Sequence, residues 1–281
     1  MPVGTLAIGD VEIVALRDLL TDAPGTLAEW FPGVPDDRWP GVNDGYPDTV
    51  AGSGGWRYHV RCYLVRAPGA LILVDTGIGP AGTPISDWLH PPGGSLPDEL
   101  RGAGVHADQV DLVVTTHMHI DHIGWNATEN GPLFSRARYL VHQTEWDAFA
   151  DEEDPEGRAV RDRLVRGLRD HGMLELVAGE RELADGIRLL PTPGHTPGSQ
   201  SVLISAGEER ALLGGDIANH PVQIEHPEWH SGGDLDPALA TTTRREWFDR
   251  VSREGTVLAT AHFPHPFGQI RDGHWEPVSV G

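Results

Sequence analysis

Four side chains of the kinds that bind metal ions lie within six residues near the middle of the chain; they are His117, His119, Asp121 and His122. A short apolar run at residues 110–114 precedes them and predicts a buried strand. His117 and His119 are two residues apart, so an extended backbone directs both side chains to the same side. The chain must turn at Asp121 and His122, which can then face a second position close by. Imidazole and carboxylate groups together suit zinc and its neighbours in the first transition row, so this stretch predicts a metal site.

The motif at residues 117–122, H-M-H-I-D-H, resembles the H-x-H-x-D-H signature of the metallo-β-lactamase fold superfamily. Three later motifs resemble those of the family and follow in the family's order: P-T-P-G-H-T-P-G-S at 191–199, L-G-G-D at 213–216 and A-H-F at 261–263. Together the motifs extend over about half of the chain. The resemblance implies that His195, Asp216 and His262 are the remaining metal ligands.

The ligand set that the resemblance implies is too large for one tetrahedral ion and indicates two divalent ions. The first ion would be held by His117, His119 and His195. The second would be held by Asp121, His122 and His262, with Asp216 bridging the two. Zinc suits these ligands best, with iron, manganese and cobalt as alternatives. Asp75, in the D-T-G sequence at 75–77, would in the family accept a hydrogen bond from a ligand histidine, which metal-bound imidazoles generally require.

Two cations about 3.5–4 Å apart lower the pKa of a shared water and polarise the oxygen under attack, so the implied chemistry is hydrolysis by a bridging hydroxide. In the family's terms Asp121 would also pass a proton to the leaving group. The substrates considered are esters, lactones, thioesters and phosphotriesters. The alternative from another class is a non-catalytic member that keeps the metals for structure or binding. The intact ligand set argues against it, because a purely structural site closes the open coordination position that catalysis needs.

Two stretches around the later motifs, and a helix between them, favour one branch of the superfamily. G-D-I-A-N-H-P at 215–221, the later arginine-rich helix and A-H-F-P-H-P-F-G at 261–268 resemble the methyl-parathion-hydrolase-like group, whose members hydrolyse aryl esters, lactones and organophosphate triesters. Quorum-signal lactonases carry a tyrosine shortly after the bridging aspartate, and this chain has Asn219 and His220 there. That departure speaks against a dedicated lactonase. Asn219, His220 and His265 are candidate pocket residues.

The composition of the chain limits its partners. The net charge is −21, and every basic residue other than histidine is an arginine. Such an acidic surface repels nucleic acid phosphates and anionic glutathione thioesters, so the expected partner is a small uncharged ester. Cys62 is the single cysteine, which leaves no disulfide framework. The first ten residues lack a signal-peptide pattern and no apolar run reaches about eighteen residues, so we predict a cytoplasmic protein without a membrane span.

Two irregular stretches are predicted to border the site. Residues 19–56 contain five prolines and are rich in aromatic side chains, namely Trp30, Phe31, Trp39, Tyr46 and Trp56. Disordered segments are poor in aromatic residues, so this stretch predicts an ordered flap that packs on the body or on a second subunit of a homodimer. A decorative extension is the alternative. Residues 217–236 directly follow Asp216 and are predicted to roof the metal site.

The remaining pattern predicts an α/β protein with a single domain at residues 1–281, in which strands and helices occur in two successive halves. Residues 11–16 are predicted to form an edge strand of the first sheet. Residues 158–171 are predicted to form an amphipathic helix after an acidic linker at 151–156. The whole pattern fits a four-layer αββα sandwich, with two mixed sheets inside and helices on the outer faces. The metal site is then expected along one edge of the sandwich.

Overall fold

The computed structural model describes residues 4–82, 93–150 and 162–280, and in these ranges two seven-stranded sheets pack against each other. The first sheet contains, in spatial order, β1 (Gly4–Ile8), β2 (Val11–Asp22), β3 (Arg57–Ala67), β4 (Ala70–Val74), β5 (Leu112–Val114), β6 (Arg138–His142) and β7 (Leu174–Val177). The second contains β8 (Arg181–Ala184), β9 (Ile187–Pro191), β10 (Gln200–Ala206), β11 (Glu209–Leu213), β12 (Val257–Ala259), β13 (Gly268–Arg271) and β14 (His274–Pro277). A two-residue ribbon joins Ala127–Thr128 to Gly131–Pro132.

Both sheets are mixed, as the sequence predicts. In the first sheet β1 to β4 are antiparallel neighbours, whereas β4, β5, β6 and β7 run parallel to one another. In the second sheet the pair β11 and β12 is parallel and the other neighbours are antiparallel. Because β11 and β12 are parallel, their carboxyl ends lie at the same edge of the sheet, and both ends lead into predicted metal ligands.

The strands of both sheets are buried on two faces, which gives four layers. Leu213 points into the central core between the sheets, where it joins Ile13 and Val114 of the first sheet. Its neighbour Leu212 points the opposite way, as successive residues of a strand do, and packs with Phe248 of the last helix. The outer face of the first sheet is covered in the same manner around Leu100. The predicted four-layer sandwich is confirmed.

Helices cover the outer faces and connect the strands. Within the described ranges they are α1 (Leu27–Trp30), α2 (Trp39–Gly45), α3 (Leu96–Gly102), α4 (Ile120–Ile123), α5 (Gln143–Ala150), α6 (Gly167–Asp170), α7 (Val222–Glu225) and α8 (Pro237–Glu254). The longest, α8, begins after Asp236, whose side chain accepts a hydrogen bond from Leu239 N at 2.9 Å. It ends at Gly255, which adopts the left-handed conformation with a φ of 61°. Among the helices described, none has both the length and the apolar character needed to cross a membrane.

The first irregular stretch begins later than the sequence predicts. β2 continues to Asp22 and pairs with both β1 and β3, so the prediction of an edge strand at residues 11–16 is wrong and β1 is the edge. Gly9, with a φ of 55°, makes the tight turn between β1 and β2. A register shift between Arg17 and Leu19 interrupts the alternation that would have revealed the full length of β2. The flap therefore occupies residues 23–56.

The predicted amphipathic helix at residues 158–171 is described only in part. Its first four residues and the acidic linker before it lie outside the described residues. The chain forms a π-helical turn at Asp162–Arg166 and continues as α6. Leu164, Val165 and Leu168 are buried there, so the described part carries the apolar face that the periodicity predicts.

A buried aspartate at the register shift in β2 connects three segments that precede or follow the metal motif. Asp18 Oδ2 accepts a hydrogen bond from Ile78 N at 2.7 Å. Its Oδ1 accepts from Leu96 N at 2.8 Å and from Trp125 Nε1 at 2.9 Å. Burial outweighs these three donors and raises the pKa of Asp18 to about 6. The side chain is 2 % exposed, so water cannot replace the carboxylate as the acceptor for these three donors.

Replacing Asp18 by asparagine is expected to lower the free energy of unfolding by about 1–3 kcal/mol, the usual cost of an unsatisfied buried polar group. The amide has one acceptor oxygen, so its NH₂ group must face either Ile78 N–H or the donors from Leu96 and Trp125. Urea unfolding monitored by circular dichroism measures the change. Asp22→Asn is the matched control, since Asp22 is exposed at the end of the same strand. Equal unfolding midpoints for the two variants would contradict the role assigned to Asp18.

Candidate metal centre

The predicted metal ligands come together at one edge of the sandwich, in loops that follow the carboxyl ends of strands. The first motif follows β5 and includes α4, and the second, third and last follow β9, β11 and β12. All seven side chains lie within one connected cluster of short distances, and they are His117, His119, Asp121, His122, His195, Asp216 and His262. Their function as ligands stays a prediction, whereas their convergence is a property of the fold.

Three imidazole nitrogens form the first candidate metal position. His117 Nε2 lies 3.1 Å from His119 Nδ1, and His195 Nε2 lies 2.9 Å from the same nitrogen. Two of these residues come from the motif after β5, and His195 comes from the loop after β9. Burial, together with the neighbouring His195, lowers the pKa of His119 to about 3. The neutral imidazole thus favoured is the form that binds a cation.

A carboxylate and two imidazoles form the second position. Asp121 Oδ2 lies 3.4 Å from His122 Nε2 and 3.4 Å from His262 Nε2. Asp216 lies between the two positions. Its Oδ1 is 3.4 Å from His122 Nε2, while its Oδ2 is 3.0 Å from His262 Nε2 and 3.5 Å from His195 Nε2. One carboxylate therefore reaches ligand atoms of both positions, which is the geometry of a bridging ligand.

The buried polar atoms of the cluster fit a cation better than they fit one another. His122 Nε2 and Asp216 Oδ1 are buried and have no hydrogen-bond partner. Buried polar atoms in proteins are nearly always paired, so two orphaned atoms that face each other at 3.4 Å require an explanation. A divalent cation satisfies nitrogen and oxygen lone pairs together, and the mixed imidazole and carboxylate set suits zinc or a neighbouring transition metal.

The far nitrogens of four of these imidazoles are held by oxygen atoms, and for His117 the oxygen is the Thr116 hydroxyl, 3.1 Å from Nδ1. His122 Nδ1 lies 2.8 Å from Asp75 Oδ2, the contact that the family resemblance implies for this aspartate. Asp75 has a φ of 62° and also accepts hydrogen bonds from the backbone N–H and the hydroxyl of Thr116, at 2.7 and 2.8 Å. His262 Nδ1 donates to His59 O at 2.6 Å. His195 Nδ1 donates to Asp234 Oδ1 at 2.9 Å. Such partners fix which nitrogen faces the metal position.

A cavity of about 110 Å³ opens beside the cluster. One wall is aromatic and consists of Trp30, Trp56 and Tyr58. The Trp56 and Tyr58 rings lie 4.7 Å apart, and the Tyr58 ring stacks on His262 at 4.8 Å. The Tyr58 hydroxyl donates a hydrogen bond to Asp121 Oδ2. The flap therefore contributes directly to the wall of the site through Trp30 and Trp56.

Of the three candidate pocket residues, one lines this cavity. Asn219 does so, and its Nδ2 donates to Asp216 Oδ2 at 2.7 Å. His220 points away from its neighbour Asn219 into the body of the flap, where its Nε2 lies 2.9 Å from the Thr49 hydroxyl. His265 is exposed on the surface, 3.6 Å from Asp48. Neither His220 nor His265 lines this cavity, because adjacent residues of an irregular segment diverge in ways that sequence proximity does not reveal.

Several residues of the site escaped the sequence analysis; they are Tyr58, Glu145, Asp234 and Arg244. None belongs to a motif with a short spacing. Tyr58 opens a strand and Glu145 lies in an ordinary helix, so both are distinguished only by the fold. Only one feature of the sequence pointed to Asp234, namely that it lies in the stretch at residues 217–236 that is predicted to cover the metal site. Arg244 is one of several arginines in α8, and nothing in the sequence distinguished it from the others.

Glu145 connects the first metal motif to the second. Its Oε1 accepts a hydrogen bond from Met118 N at 2.7 Å, between two predicted ligands. Its Oε2 accepts from the Thr196 hydroxyl at 2.7 Å and from Gly198 N at 2.9 Å. A Cβ atom at Gly198 would lie 2.3 Å from Glu145 N, so this close approach requires the glycine. One buried carboxylate thereby sets the distance between the loops of His119 and His195.

Replacing Glu145 by glutamine is expected to weaken metal binding about 10–100-fold, the usual effect of losing a group that orients metal ligands. The amide turns one of two acceptor oxygens into a donor that faces Met118 N–H or the Thr196 and Gly198 donors. Zinc retention at increasing chelator concentration measures the effect. Asp147→Asn is the control, since Asp147 is exposed on the same helix. Identical zinc release from the two variants would show that Glu145 does not position the ligands.

The fold and the clustered ligands define a class of metal-dependent hydrolase, and comparison with known proteins agrees. Residues 55–262 match the family model described as Metallo-beta-lactamase superfamily, so the chain belongs to the metallo-β-lactamase superfamily. An N-acyl homoserine lactonase of Bacillus thuringiensis is 25% identical over 218 residues, which cover 72% of this chain and 80% of that protein. The N-acyl homoserine lactonase AiiB of Agrobacterium fabrum is 30% identical over 172 residues, covering 55% of this chain and 60% of that protein.

Solved structures share the fold over nearly the whole chain. The crystal structure of the hydrolase AbOPH of the β-lactamase superfamily has a TM-score of 0.85 and is 23% identical, covering 99% of this chain and 97% of that one. AidC, described as a dizinc quorum-quenching lactonase, has a TM-score of 0.83 and is 22% identical with the same coverage. The predicted fold, the lactonase-like resemblance and the enzyme class are thus confirmed.

Proposed function

We propose that this protein hydrolyses small uncharged esters at a centre of two divalent metal ions, with lactones as the first substrate class to test. The observation that carries the proposal is the Asp216 carboxylate, which lies within 3.5 Å of ligand nitrogens from both positions. A carboxylate shared in this manner suits two ions better than one. The lactonases among the sequence relatives support the same conclusion.

The proposed ligands divide as the family resemblance implies. His117, His119 and His195 would hold the first ion. Asp121, His122 and His262 would hold the second, and Asp216 would be shared by the two positions. A centre of this kind would make hydroxide available at neutral pH and would polarise the substrate oxygen under attack. Zinc is the proposed metal because nitrogen ligands predominate.

The side chains around the cavity provide the remaining functions. Asp121 lines the cavity with its Oδ2 held by the Tyr58 hydroxyl, so its carboxylate is oriented before a substrate arrives. In that position it can accept a proton from the nucleophile and deliver it to the leaving group. Asn219 holds Asp216 through the hydrogen bond from its Nδ2 to Asp216 Oδ2. The indole rings of Trp30 and Trp56 exclude water from the substrate and offer a flat apolar surface to an acyl chain or an aryl group.

The lining of the cavity favours an uncharged substrate. Its residues are Trp30, Trp56, Tyr58, His119, Asp121, His195, Asp216, Asn219, Ser231, Gly233 and His262, and none of them is an arginine or a lysine. A substrate with an anionic carrier, as in most biological thioesters, would lack a basic anchor there. The open cavity beside the ligands also distinguishes the site from a purely structural one, which is closed by its ligands.

We further propose that the chain forms one domain in which the flap and the roofing stretch act as a unit. Phe31, Val42 and Trp56 of the flap pack with Val222 of the roofing stretch in one buried cluster. His220 lies between Phe31 and Tyr46, with ring centroids 5.4 and 5.5 Å away. This packing accounts for the aromatic content of the flap without a second subunit.

The proposed substrate class is tested with matched pairs of esters. A 4-nitrophenyl alkanoate and the same ester with a terminal carboxylate on its acyl chain differ in charge alone. We expect kcat/KM to be about tenfold or more higher for the neutral ester, because no basic side chain compensates the added carboxylate. An N-acyl homoserine lactone should also be hydrolysed, and metal-free protein is the control. Preference for the anionic ester or for a glutathione thioester would favour the thioesterase alternative, and inactivity of the zinc-loaded protein on the whole panel would favour the non-catalytic one.

A further inference from the structure

A buried arginine of α8 reaches toward two of the proposed ligands at once. Arg244 is 0 % exposed, and its Nε donates to Ile217 O at 2.8 Å, one residue after Asp216. Its NH2 group donates to both carboxylate oxygens of Asp234, at 2.9 and 2.7 Å. Asp234 in turn accepts from His195 Nδ1 at 2.9 Å. A single side chain therefore connects the backbone beside Asp216 with the carboxylate behind His195.

The segment that carries Asp234 wraps closely around His195. Asp234 Oδ2 also accepts from Ser231 N at 3.2 Å, so hydrogen bonds fix both oxygens of the carboxylate. Leu235 N donates to His195 O at 2.8 Å. A Cβ atom at Gly233 would lie only 3.0 Å from His195 Cε1, so the segment fits against the edge of the imidazole. These contacts make the orientation of His195 depend on the place of Asp234.

The other imidazoles of the site have different support. Asp75, behind His122, receives its other hydrogen bonds from neutral groups of Thr116. The groups behind His117 and His262 are the neutral hydroxyl of Thr116 and the neutral carbonyl of His59. Across residues 4–82, 93–150 and 162–280, His195 is thus the one proposed ligand whose outward partner is a carboxylate paired with an arginine. The two metal positions therefore differ in the charge that lies behind them.

We propose that the Arg244–Asp234 pair is a positioning device for the first metal position, and this inference rests on the function proposed above. The Asp234 carboxylate requires the proton of His195 to lie on Nδ1, which leaves Nε2 free to face His117 and His119. The planar guanidinium locks the carboxylate in place and, through Ile217, also holds the loop of Asp216. Helix α8 thereby sets the distance between a ligand of the first position and the bridging carboxylate.

Stability alone is a poor explanation for the pair. A buried ion pair often contributes little to folding, because removing two charges from water costs about as much as their attraction returns. Apolar side chains such as Phe248 and Val251 already anchor α8 on the second sheet. The consequence specific to a positioning role is a change in metal affinity at one position, beyond any change in the stability of the metal-free protein.

The test uses the full chain and three variants. Asp234→Asn keeps an amide oxygen for His195 Nδ1–H but removes the charge, Arg244→Met removes the guanidinium, and the double variant removes both charges without leaving one unpaired. Arg245→Met is the matched control, since Arg245 is the next residue and its guanidinium is exposed, 3.4 Å from Glu228. Zinc release is followed during chelator titration, the visible absorption of the cobalt-substituted protein reports the ligand geometry, and urea unfolding of the metal-free protein reports stability.

We expect the double variant to bind one of its two ions about 10–100-fold more weakly than the control, with an altered cobalt spectrum and the other ion retained. Metal release and spectra like those of Arg245→Met, whether or not the metal-free protein is less stable, would overturn the inference and leave a structural pair. If the wild-type chain binds a single ion, the dinuclear proposal fails by itself. In that case, release of the single ion from the double variant at a lower chelator concentration than from Arg245→Met supports the inference. Release at the same concentration overturns it.

Discussion

Asp121→Asn is expected to keep most of its metal and to lose on the order of 10²–10⁴-fold in kcat, the usual size of a general acid–base contribution. Asparagine retains the size of the side chain and one acceptor oxygen, so the second position, which His122 and His262 also form, should weaken only modestly. The substitution removes the carboxylate oxygen that would accept and deliver the proton. It also removes the acceptor charge to which the Tyr58 hydroxyl donates.

The loss should be larger for alkyl lactones than for 4-nitrophenyl esters, because poor leaving groups depend most on proton donation. Steady-state kinetics with both substrates, at measured metal content, provide the comparison. Tyr58→Phe is the companion variant, since it removes the hydrogen bond to Asp121 but no proposed ligand, and its loss should be smaller than that of Asp121→Asn. A fully loaded Asp121→Asn enzyme that hydrolyses an alkyl lactone at the wild-type rate would reduce Asp121 to a ligand only.

Asp216→Ala is expected to reduce the metal content from two ions to one and to bring hydrolysis near the background rate. Two divalent cations about 3.5–4 Å apart would repel each other strongly, and in the proposed centre the Asp216 carboxylate would screen this repulsion. Asp216 also lies within 3.5 Å of nitrogens from both positions, so its removal affects both. Elemental analysis after gel filtration measures the number of ions.

Asn219→Ala provides a graded comparison for this prediction. It removes the 2.7 Å hydrogen bond to Asp216 Oδ2 but leaves the carboxylate itself. Two ions should remain bound, with a weaker affinity than in the wild type. Retention of two ions by Asp216→Ala, at the affinity of the Asn219→Ala variant, would show that Asp216 does not bridge them.

The sequence predicted the clustered residues in two ways: the spacing of the first motif pointed to His117, His119, Asp121 and His122, and the family resemblance implied His195, Asp216 and His262. His117 and His119 are separated by one residue, and the parallel strands β11 and β12 bring Asp216 and His262 to a common edge. The supporting residues could not be predicted in the same manner. Asp234 follows His195 by 39 residues, and Arg244 follows Asp234 by another 10. Contacts of that range depend on how α8 packs on the second sheet, which no local pattern encodes.

The fold class could also be predicted from sequence patterns, and the errors of that prediction are local. The continuous apolar run at residues 110–114 agrees with the prediction, since it contains the buried strand β5. The predicted strand at residues 11–16 is shorter than β2, because the register shift at Asp18 breaks the alternation of buried and exposed residues. His220 was named as a pocket residue because it is close to Asp216 in sequence, but its side chain lies in the flap. In both cases a tertiary contact determines the local structure. Asp18 accepts hydrogen bonds from three distant segments, and His220 lies beside the hydroxyl of Thr49 in the flap.

A zinc titration of metal-free protein tests the central claim most directly, with bound zinc and hydrolysis of a neutral aryl ester followed in the same samples. If two ions at the His117–His262 cluster form the hydrolytic centre, zinc should bind tightly up to two equivalents per chain, and full activity should require the second equivalent. Full activity at one equivalent would contradict the dinuclear centre, and two tightly bound equivalents without hydrolysis would contradict the proposed function.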